Sequence, residues 1–270
     1  MNEAHAHTLK VPDATLHYEV CGSGPVLLCI RAGPRTAAAS HLSGIFSPDR
    51  YTVVTYDPRG LSRSPFDGEP QDTTVQTFAD DAHRLLATVG TELAFVLGSS
   101  GGGLVGLELI GDHPEQVRAL VAHEPPTTRL LDDADEHLAF DREVYDTYRA
   151  GGVGPAMGKF MAGAGLDPHP VIESTPEMDE AMARMQGNME FFLAHMWLPL
   201  TGYEPDTSRL RSLPITVAVG EASEGQLAHR AARALAAQRG QEPTVFPGDY
   251  GWGGNAEAFA DRLDEVLSRY

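Results

Sequence analysis

Short apolar runs alternate with amphipathic stretches along the first half of the chain. The run at residues 26–30 is apolar throughout, which is typical of a central strand covered on both faces. Residues 75–89 repeat apolar side chains at helical spacing, and Gly90 ends that pattern. The same reasoning predicts the other elements of this half: strands over residues 15–20, 52–56, 94–97 and 117–122, and helices over residues 35–46 and 104–111.

The segment from residue 127 to residue 211 differs from the rest. It has helical patches interrupted by Gly and Pro, no clear strand pattern, and many methionine and aromatic side chains. Strand patterns return at residues 215–219 and 244–246, and helical patterns return at residues 226–238 and from Phe259 onward. Alternating strands and helices predict an α/β fold with a mostly parallel central sheet covered by helices on both faces.

We predict a single core made of residues 1–126 and 212–270, with residues 127–211 inserted as a helical cap. A length of 270 residues suits one α/β domain with a modest insertion, and 42% hydrophobic residues suffice for a sizeable core. For most methionines of the cap segment, packing is the expected role, because their flexible side chains fill irregular apolar gaps.

Charge and targeting signals narrow the classes of partner. The net charge is −18, from 38 acidic and 20 basic residues, and such a surface repels nucleic-acid phosphates and anionic lipid. We therefore expect a small-molecule substrate and neither a nucleic-acid nor a membrane partner. The N-terminus lacks the basic start and apolar run of a signal peptide, so a cytoplasmic location is the default expectation.

Cysteine and histidine positions give no metal or disulfide signature. Cys21 and Cys29 do not make a disulfide framework, and Cys29 lies inside an apolar strand as a small buried hydrophobe. His5 and His7 lie in a terminus that we expect to be frayed, where solvent exposure is the simpler interpretation. We expect no metal site.

One motif carries nucleophile chemistry. Residues 98–102 read GSSGG, which fits G-x-S-x-G in a single frame with Ser100 at the centre. The motif follows a predicted strand and precedes a predicted helix, the context in which a serine sits on a sharp turn between small residues. The helix N-terminus behind the serine offers free backbone N–H groups and the positive end of the helix dipole.

Around this motif the chain resembles the α/β-hydrolase superfamily over nearly its whole length. The resemblance is carried by the segments TLHYEVCGSGPVLL, YDPRGLSRS, GSSGGGLVGLELI, LVAHEPP, VAVGEASEGQLAHR and PGDYGWGGNAEAFADRL. Within the superfamily it is similar to actinobacterial α/β hydrolase-like proteins. The resemblance implies an α/β-hydrolase fold, and it implies a mainly structural role for the loop at residues 57–64.

The chain departs from the family at the general base. The family carries its catalytic histidine in a Gly-Asp-His-Gly segment, whereas this chain has Tyr250 at the histidine position of Gly-Asp-Tyr-Gly. Tyrosine titrates near pH ~10, so at neutral pH it donates a hydrogen bond and does not accept a proton. Loss of a triad base typically costs ~10⁶-fold in acyl transfer. The loop also looks one residue shorter than the family pattern, which leaves a different local alignment open.

The acid and the oxyanion loop also differ. The position after the next-to-last strand, which holds an Asp in many members, holds Ser223, while Glu124 fits the alternative acid position after the strand that follows the elbow helix. Glu124 is therefore a candidate base or charge partner, or alternatively a strand-end residue that bonds to backbone. The resemblance places an oxyanion hole at the N–H groups of Gly101 and of Gly33 or Ala32.

Several further side chains are candidates for binding substrate. Arg31 precedes the oxyanion loop and either faces the pocket, where it would bind a carboxylate or enolate, or points to solvent. His123 should point away from Glu124 by strand alternation, and His229 lies on a helix that looks exposed. The remaining candidates belong to the cap or to the loop after Tyr250: Phe191, His195, Trp197 and Trp252.

Three hypotheses of function follow from a retained Ser100 without a histidine base. The first is a cofactor-free enzyme whose donors Ser100, Tyr250 and Arg31 surround a substrate carbonyl, in lyase, isomerase, cyclase or dehydratase chemistry on a largely apolar compound of secondary metabolism. The second is a serine hydrolase whose base has moved. The third is a non-catalytic small-molecule receptor.

Overall fold

The structure is a computed structural model that describes residues 4–33, 49–90, 93–163, 176–250 and 255–270. Within these residues eight strands form one sheet with the order β1-β2-β4-β3-β5-β6-β7-β8. The strands are β1 His5–Val11, β2 Ala14–Gly22, β3 Val26–Arg31, β4 Thr52–Tyr56, β5 Ala94–Ser99, β6 Val117–His123, β7 Ile215–Gly220 and β8 Thr244–Phe246.

The sheet is parallel from β4 to β8, while β2 runs antiparallel to both β1 and β4. Its register aligns the carboxyl ends of the central strands, because Ser99 of β5 pairs with Arg31 of β3 and with His123 of β6. His123 in turn pairs with Ala218 of β7. Ligands of open α/β sheets bind at this edge, and the predicted site residues that the structure describes in the core follow strands that end there.

Helices cover both faces of the sheet, as the alternation of elements predicts. Alternate residues of β3 illustrate the division: Leu28 and Ile30 enter one apolar cluster, and Leu27 and Cys29 enter the other. Burial raises the pKa of the Cys29 thiol to about 12, so this residue is a protonated, small buried hydrophobe, as predicted. The core helices are α1 Val75–Val89, α2 Gly101–Asp112, α8 Leu227–Gln238 and α9 Ala256–Leu267.

The described part of residues 127–211, here called the cap segment, contains helices and no strand. Val144, Ala156, Leu193 and Trp197 form an apolar cluster of their own there. Met196, by contrast, is buried in the main core, which is the packing role expected for the methionines. The separation of this segment from the core as an inserted cap stays a prediction. Its helices are α3 Ala134–Gly151, α4 Val153–Gly163, α5 Pro176–Phe191, α6 Trp197–Thr201 and α7 Thr207–Leu210, with a π-helical turn at Phe192–Met196.

The expectation of a frayed N-terminus was wrong. Residues from His5 onward form β1, which pairs with β2 over its whole length, and the His7 ring stacks on Tyr18 at 5.1 Å. Since β1 is an edge strand whose only buried residue is Val11, its burial pattern carries no strand signal, and pairing with β2 decides its conformation. The helix predicted at residues 35–46 lies outside the described residues.

No helix among the described residues combines the length and the apolar character that a membrane span requires.

Candidate active site

Ser100 lies on a sharp turn between β5 and α2. Its φ of 55° and ψ of −127° are strained for a residue with a side chain. Its N–H donates to the carbonyl of His123 at 3.0 Å, and its carbonyl accepts from Gly103 N–H at 2.8 Å. A Cβ at Gly98 would lie 2.4 Å from the carbonyl oxygen of Gly102, so the close approach requires glycine. This geometry is that of a nucleophile elbow.

The hydroxyl of Tyr250 is hydrogen-bonded to Ser100 Oγ. The two hydroxyls therefore meet, although 150 residues separate them along the chain. Tyr250 follows β8, is 39% exposed over its whole surface, and directs its hydroxyl to the serine. Removal of the phenol from water and the negative charge of Glu124 raise the pKa of Tyr250, while Ser100 and Arg31 act in the opposite direction. At neutral pH the phenol therefore keeps its proton.

Glu124 follows the last residue of β6 and is completely buried, with its backbone in the left-handed region at φ 45°. Its Oε1 accepts hydrogen bonds from the backbone N–H of Gly220, at 3.0 Å, and from the hydroxyl of Ser223. Its Oε2 has no hydrogen-bond partner among the described residues. Burial raises the pKa of Glu124, and the hydrogen bonds from Ser223 and Gly220 partly offset that effect. Its negative charge in turn raises the pKa of Tyr250.

The oxyanion candidates lie beside the elbow. A Cβ at Gly101 would lie 2.5 Å from the carbonyl oxygen of Ala32, so the end of β3 is packed directly against the start of α2. Gly33 is the last residue described in this loop. Arg31 is partly buried, and its positive charge lowers the pKa of both Tyr250 and Cys29.

The candidates from the cap segment contact one another and the core loops. Phe191 lies against Gly60, where a Cβ would come within 2.2 Å of its ring, and its ring is 5.1 Å from that of His195. His195 Nδ1 is 2.9 Å from Asp72 Oδ1. Trp197 donates to the carbonyl of Asp141 at 2.9 Å inside the cap cluster. None of these contacts joins the three aromatic residues to Ser100, and Trp252 lies outside the described residues.

The alternative histidines have distinct positions. His123 is buried between Phe246 and Phe259, at 6.0 and 5.3 Å between ring centroids, so it does face away from Glu124. Burial lowers its pKa to about 4. The prediction that His229 is exposed was wrong, since it is 7% exposed. It shares a helical face with Ala232 and Ala236, and its charge lowers the pKa of Glu124.

The loop at residues 57–64 is a network of structural hydrogen bonds. Arg59 donates two hydrogen bonds to Asp81, at 2.7 and 2.5 Å, and both side chains are buried. Arg63 Nε donates to Asp57 at 2.7 Å, and Ser64 Oγ donates to the carbonyl of Asp57 at 2.6 Å. Such paired and buried charges hold the loop in place.

In the described ranges, no group of three or more His, Cys, Asp or Glu side chains could hold a metal ion. Sequence reasoning missed the bond between Ser223 and Glu124, since their loops are 99 residues apart in the chain. It also missed the burial of His229, for which the spacing of three and seven residues to Ala232 and Ala236 was the available signal.

Comparisons with known proteins agree with this geometry. The family described as the alpha/beta hydrolase fold matches residues 25–191. The uncharacterised hydrolase YraK of Bacillus subtilis (strain 168) is 33% identical over 273 residues, covering 97% of this chain and 96% of the relative.

Solved structures share the fold at low sequence identity. A hydrolase from Pseudomonas aeruginosa PA01 has a TM-score of 0.71 at 20% identity, with 97% of this chain and 98% of that chain covered. An α/β hydrolase from Sphaerobacter thermophilus DSM 20745 has a TM-score of 0.66 at 22% identity, with 97% and 100% covered. On the family match and the full-length relative together, this chain belongs to the α/β hydrolase family.

Proposed function

We propose that this protein is an α/β-hydrolase-family enzyme that polarises a substrate carbonyl with hydrogen-bond donors and forms no acyl-serine. The hydrogen bond between Ser100 Oγ and the Tyr250 hydroxyl carries the proposal. A serine becomes a strong nucleophile when an adjacent base accepts its proton. Here the adjacent group is a phenol whose pKa is raised, so it remains a donor at neutral pH.

The reaction class follows from this equipment. Two hydroxyls, the backbone N–H groups at the start of α2 and the nearby charge of Arg31 all stabilise negative charge that develops on an oxygen. Such an arrangement suits lyase, isomerase, cyclase or dehydratase chemistry next to a carbonyl, without a cofactor. We further propose a small and largely apolar substrate of secondary metabolism, because the cap segment is rich in methionine and aromatic side chains.

The reactivity of Ser100 tests the proposal directly. The purified protein is treated with a fluorophosphonate probe and assayed with a panel of p-nitrophenyl esters, with Ser100→Ala as the matched control. We expect slow labelling of Ser100 and ester turnover close to that of the control. Rapid stoichiometric labelling at Ser100 would overturn the proposal, and ligand binding without turnover of any carbonyl substrate would favour a receptor.

A serine hydrolase with a relocated base is the second candidate. It is favoured by the full-length similarity to a protein named as a hydrolase. His195 is the histidine of the cap segment that we consider as a relocated base. Its side chain is partly exposed, and its Nδ1 lies 2.9 Å from Asp72 Oδ1. If His195 were the base, a His195→Gln substitution would abolish fluorophosphonate labelling of Ser100, whereas under our proposal it leaves the slow labelling unchanged.

Arg31 gives a prediction about ligand chemistry. The probes are 2-naphthoate and 2-acetylnaphthalene, which are matched in their apolar part and differ in charge. We expect 2-naphthoate to bind more tightly, and Arg31→Ala to weaken its binding by roughly 1.5–3 kcal/mol, the usual scale for a charged hydrogen bond. Isothermal titration measures both affinities. Equal affinity for the two probes in the unmodified protein would remove Arg31 from the site.

A further inference from the structure

Ser223 and Glu124 form a buried pair that the proposed chemistry of Ser100 does not by itself explain. Both side chains are completely buried, and they come from the ends of neighbouring parallel strands, β6 and β7. The backbone of Glu124 adopts a left-handed conformation that residues with side chains usually avoid. Such strain persists where surrounding contacts hold it, and here the Glu124 N–H donates to the Ala218 carbonyl at 2.9 Å while the carboxylate accepts two hydrogen bonds.

The two oxygens of the Glu124 carboxylate have unequal surroundings. Oε1 accepts from Ser223 Oγ and from Gly220 N–H at 3.0 Å, whereas Oε2 has no partner among the described residues and is sealed from solvent. The Ser223 hydroxyl has one proton and also lies 3.0 Å from the Gly220 carbonyl, but a charged acceptor makes the stronger bond. The anchored Oε1 therefore fixes the direction of Oε2.

The loop that anchors the carboxylate, at residues 220–223, is held against the loop that carries Tyr250. Glu221 N–H donates to the Phe246 carbonyl and Ala222 N–H donates to the Gly248 carbonyl, both at 3.0 Å. A Cβ at Gly220 would lie 2.8 Å from Ser223 Oγ and 2.9 Å from the Gly248 carbonyl oxygen, so the two loops are in contact. The charge of Glu124 reaches Tyr250, whose pKa it raises.

A phenol and an imidazole differ in what they offer to such a carboxylate. The single polar atom of Tyr250 is engaged with Ser100, so the ring has no second donor. An imidazole at the same position has two ring nitrogens, one for the serine and one for an acid. The Oε2 of Glu124 has no partner among the described residues, so it is able to accept such a second bond.

We infer that Ser223 is a positioning residue: together with Gly220 N–H it holds Glu124 ionised, with Oε2 free to accept a hydrogen bond from residue 250. The inference rests on the pairing of Ser100 and Tyr250 in the proposed function, and it adds the residue that keeps the buried charge in place beneath that pair. The other charged groups acting on Glu124 are His229 of α8 and Asp249 of the loop after β8.

The first test is a double-mutant cycle on the full chain with Ser223→Ala, Glu124→Gln and the double variant. Urea unfolding midpoints are measured between pH 4.5 and 8.5. Ser223→Ala should lower the midpoint more at pH 8.5 than at pH 4.5, because only an ionised Glu124 depends on the charged hydrogen bond. In the Glu124→Gln background, the loss caused by Ser223→Ala should not change with pH.

Comparison of variants at each pH largely removes the contributions of His229, Asp249 and Tyr250, which are present in every variant. If Ser223→Ala lowers the urea unfolding midpoint of the otherwise unmodified protein equally at pH 4.5 and pH 8.5, Ser223 only fills space. That result would overturn the inference.

The second test uses Tyr250→His as a reporter of Oε2. The new imidazole should give a low-field N–H proton resonance in NMR spectra, and its pKa should be raised by the carboxylate. Glu124→Gln in that background should abolish the resonance, and Ser223→Ala should weaken it and lower the imidazole pKa. A resonance that is unchanged by Ser223→Ala would overturn the inference.

Neither test depends on the reaction class. Rapid fluorophosphonate labelling of the unmodified protein would remove the proposed function and leave the role of Ser223 standing. A decrease in the unfolding midpoint of Ser223→Ala that does not depend on pH would remove the role of Ser223 and leave the proposed function standing.

Discussion

At the scale of single residues, the environment of each titratable group decides what position 250 does. The pKa of Tyr250 is raised, so the phenol donates to Ser100 and does not take its proton. The buried carboxylate of Glu124, whose Oε1 is anchored by two donors, acts electrostatically on Tyr250 and would act in the same way on a histidine at that position.

Replacing that phenol should therefore create hydrolytic activity. We expect Tyr250→His to raise p-nitrophenyl ester hydrolysis by at least about 10²-fold, the lower range for a positioned general base. The measurement is initial rate against pH, and the rate should follow a histidine titration. Tyr250→Phe is the matched control, which removes the hydroxyl and adds no base, and Ser100→Ala in the histidine variant should abolish the gain. A gain that survives Ser100→Ala would contradict the argument.

His123 predicts an acid sensitivity of the fold. It is buried between two phenylalanine rings, its ring nitrogens have no partner among the described residues, and burial lowers its pKa from 6.5 to about 4. As the pH falls, His123 is protonated in the unfolded chain before it is protonated in the folded protein. The stability contributed by the neutral, buried His123 is therefore complete above pH ~6.5 and is lost as the pH falls toward 4. The pKa difference corresponds to at most about 3 kcal/mol.

The measurement is the free energy of unfolding between pH 4 and pH 7, compared with that of His123→Leu. The leucine variant should have a flatter pH dependence because its apolar side chain carries no titratable group. An identical slope in both proteins would show that other groups cause the acid sensitivity.

At the scale of elements, close backbone packing holds the serine turn between β5 and α2. Gly102 lies in the first turn of α2, where a Cβ would come within 2.0 Å of the Ile30 carbonyl oxygen. Backbone atoms cannot move aside as a flexible side chain can, so β3 and α2 are in direct contact at this point. That contact brings the oxyanion candidates of β3 to the N-terminus of the helix.

Gly102→Ala should consequently destabilise the protein by at least about 2 kcal/mol, in the range for overpacked sites. Gly158→Ala is the matched control in α4, because a Cβ there meets nothing within 4 Å. That control should raise stability by about 0.5–1 kcal/mol through helix propensity. Thermal unfolding of both variants measures the difference, and a well-tolerated Gly102→Ala would contradict the described packing of the elbow.

At the scale of the whole molecule, the cap segment is joined to the core by polar contacts near the site. Asn188 of α5 accepts from Ser62 N–H at 2.7 Å and donates to Ser62 Oγ at 3.0 Å. The carbonyl of His195 accepts from Thr73 N–H at 3.0 Å. Phe191 packs on Gly60, which has φ of 78° and no side chain in the way. These contacts hold the cap segment on the loop at residues 57–73.

Loss of the Asn188 contacts should loosen the cap segment. We expect Asn188→Leu to speed hydrogen exchange in the described cap peptides by about tenfold, because it leaves a partly buried N–H of Ser62 without its acceptor. Asn188→Asp keeps an acceptor for Ser62 N–H and should have a smaller effect. Unchanged exchange in the leucine variant would show that the other contacts suffice to hold the cap segment.

Local patterns were sufficient for most core elements and for the elbow. The strands β3 to β7 are short apolar runs because they are buried on both faces, whereas α1 and α9 repeat apolar residues at helical spacing because one face of each is buried. The edge strand β1 could not be predicted in this way, because most of its residues are exposed and its conformation depends on pairing with β2. The burial of His229 likewise depends on the sheet against which α8 packs, although its spacing to Ala232 carried part of the signal.

The sequence by itself determined the α/β-hydrolase family and the nucleophile-elbow motif at Ser100, and it placed Tyr250 where the family resemblance implies a histidine. These follow from covalent identity and from patterns that extend over a few residues. Only the tertiary structure decided that Tyr250 bonds to Ser100 and that Ser223 bonds to Glu124. The physical reason is that neighbouring parallel strands bring their ends together from distant parts of the chain, so contacts between those ends are set by sheet register and loop packing.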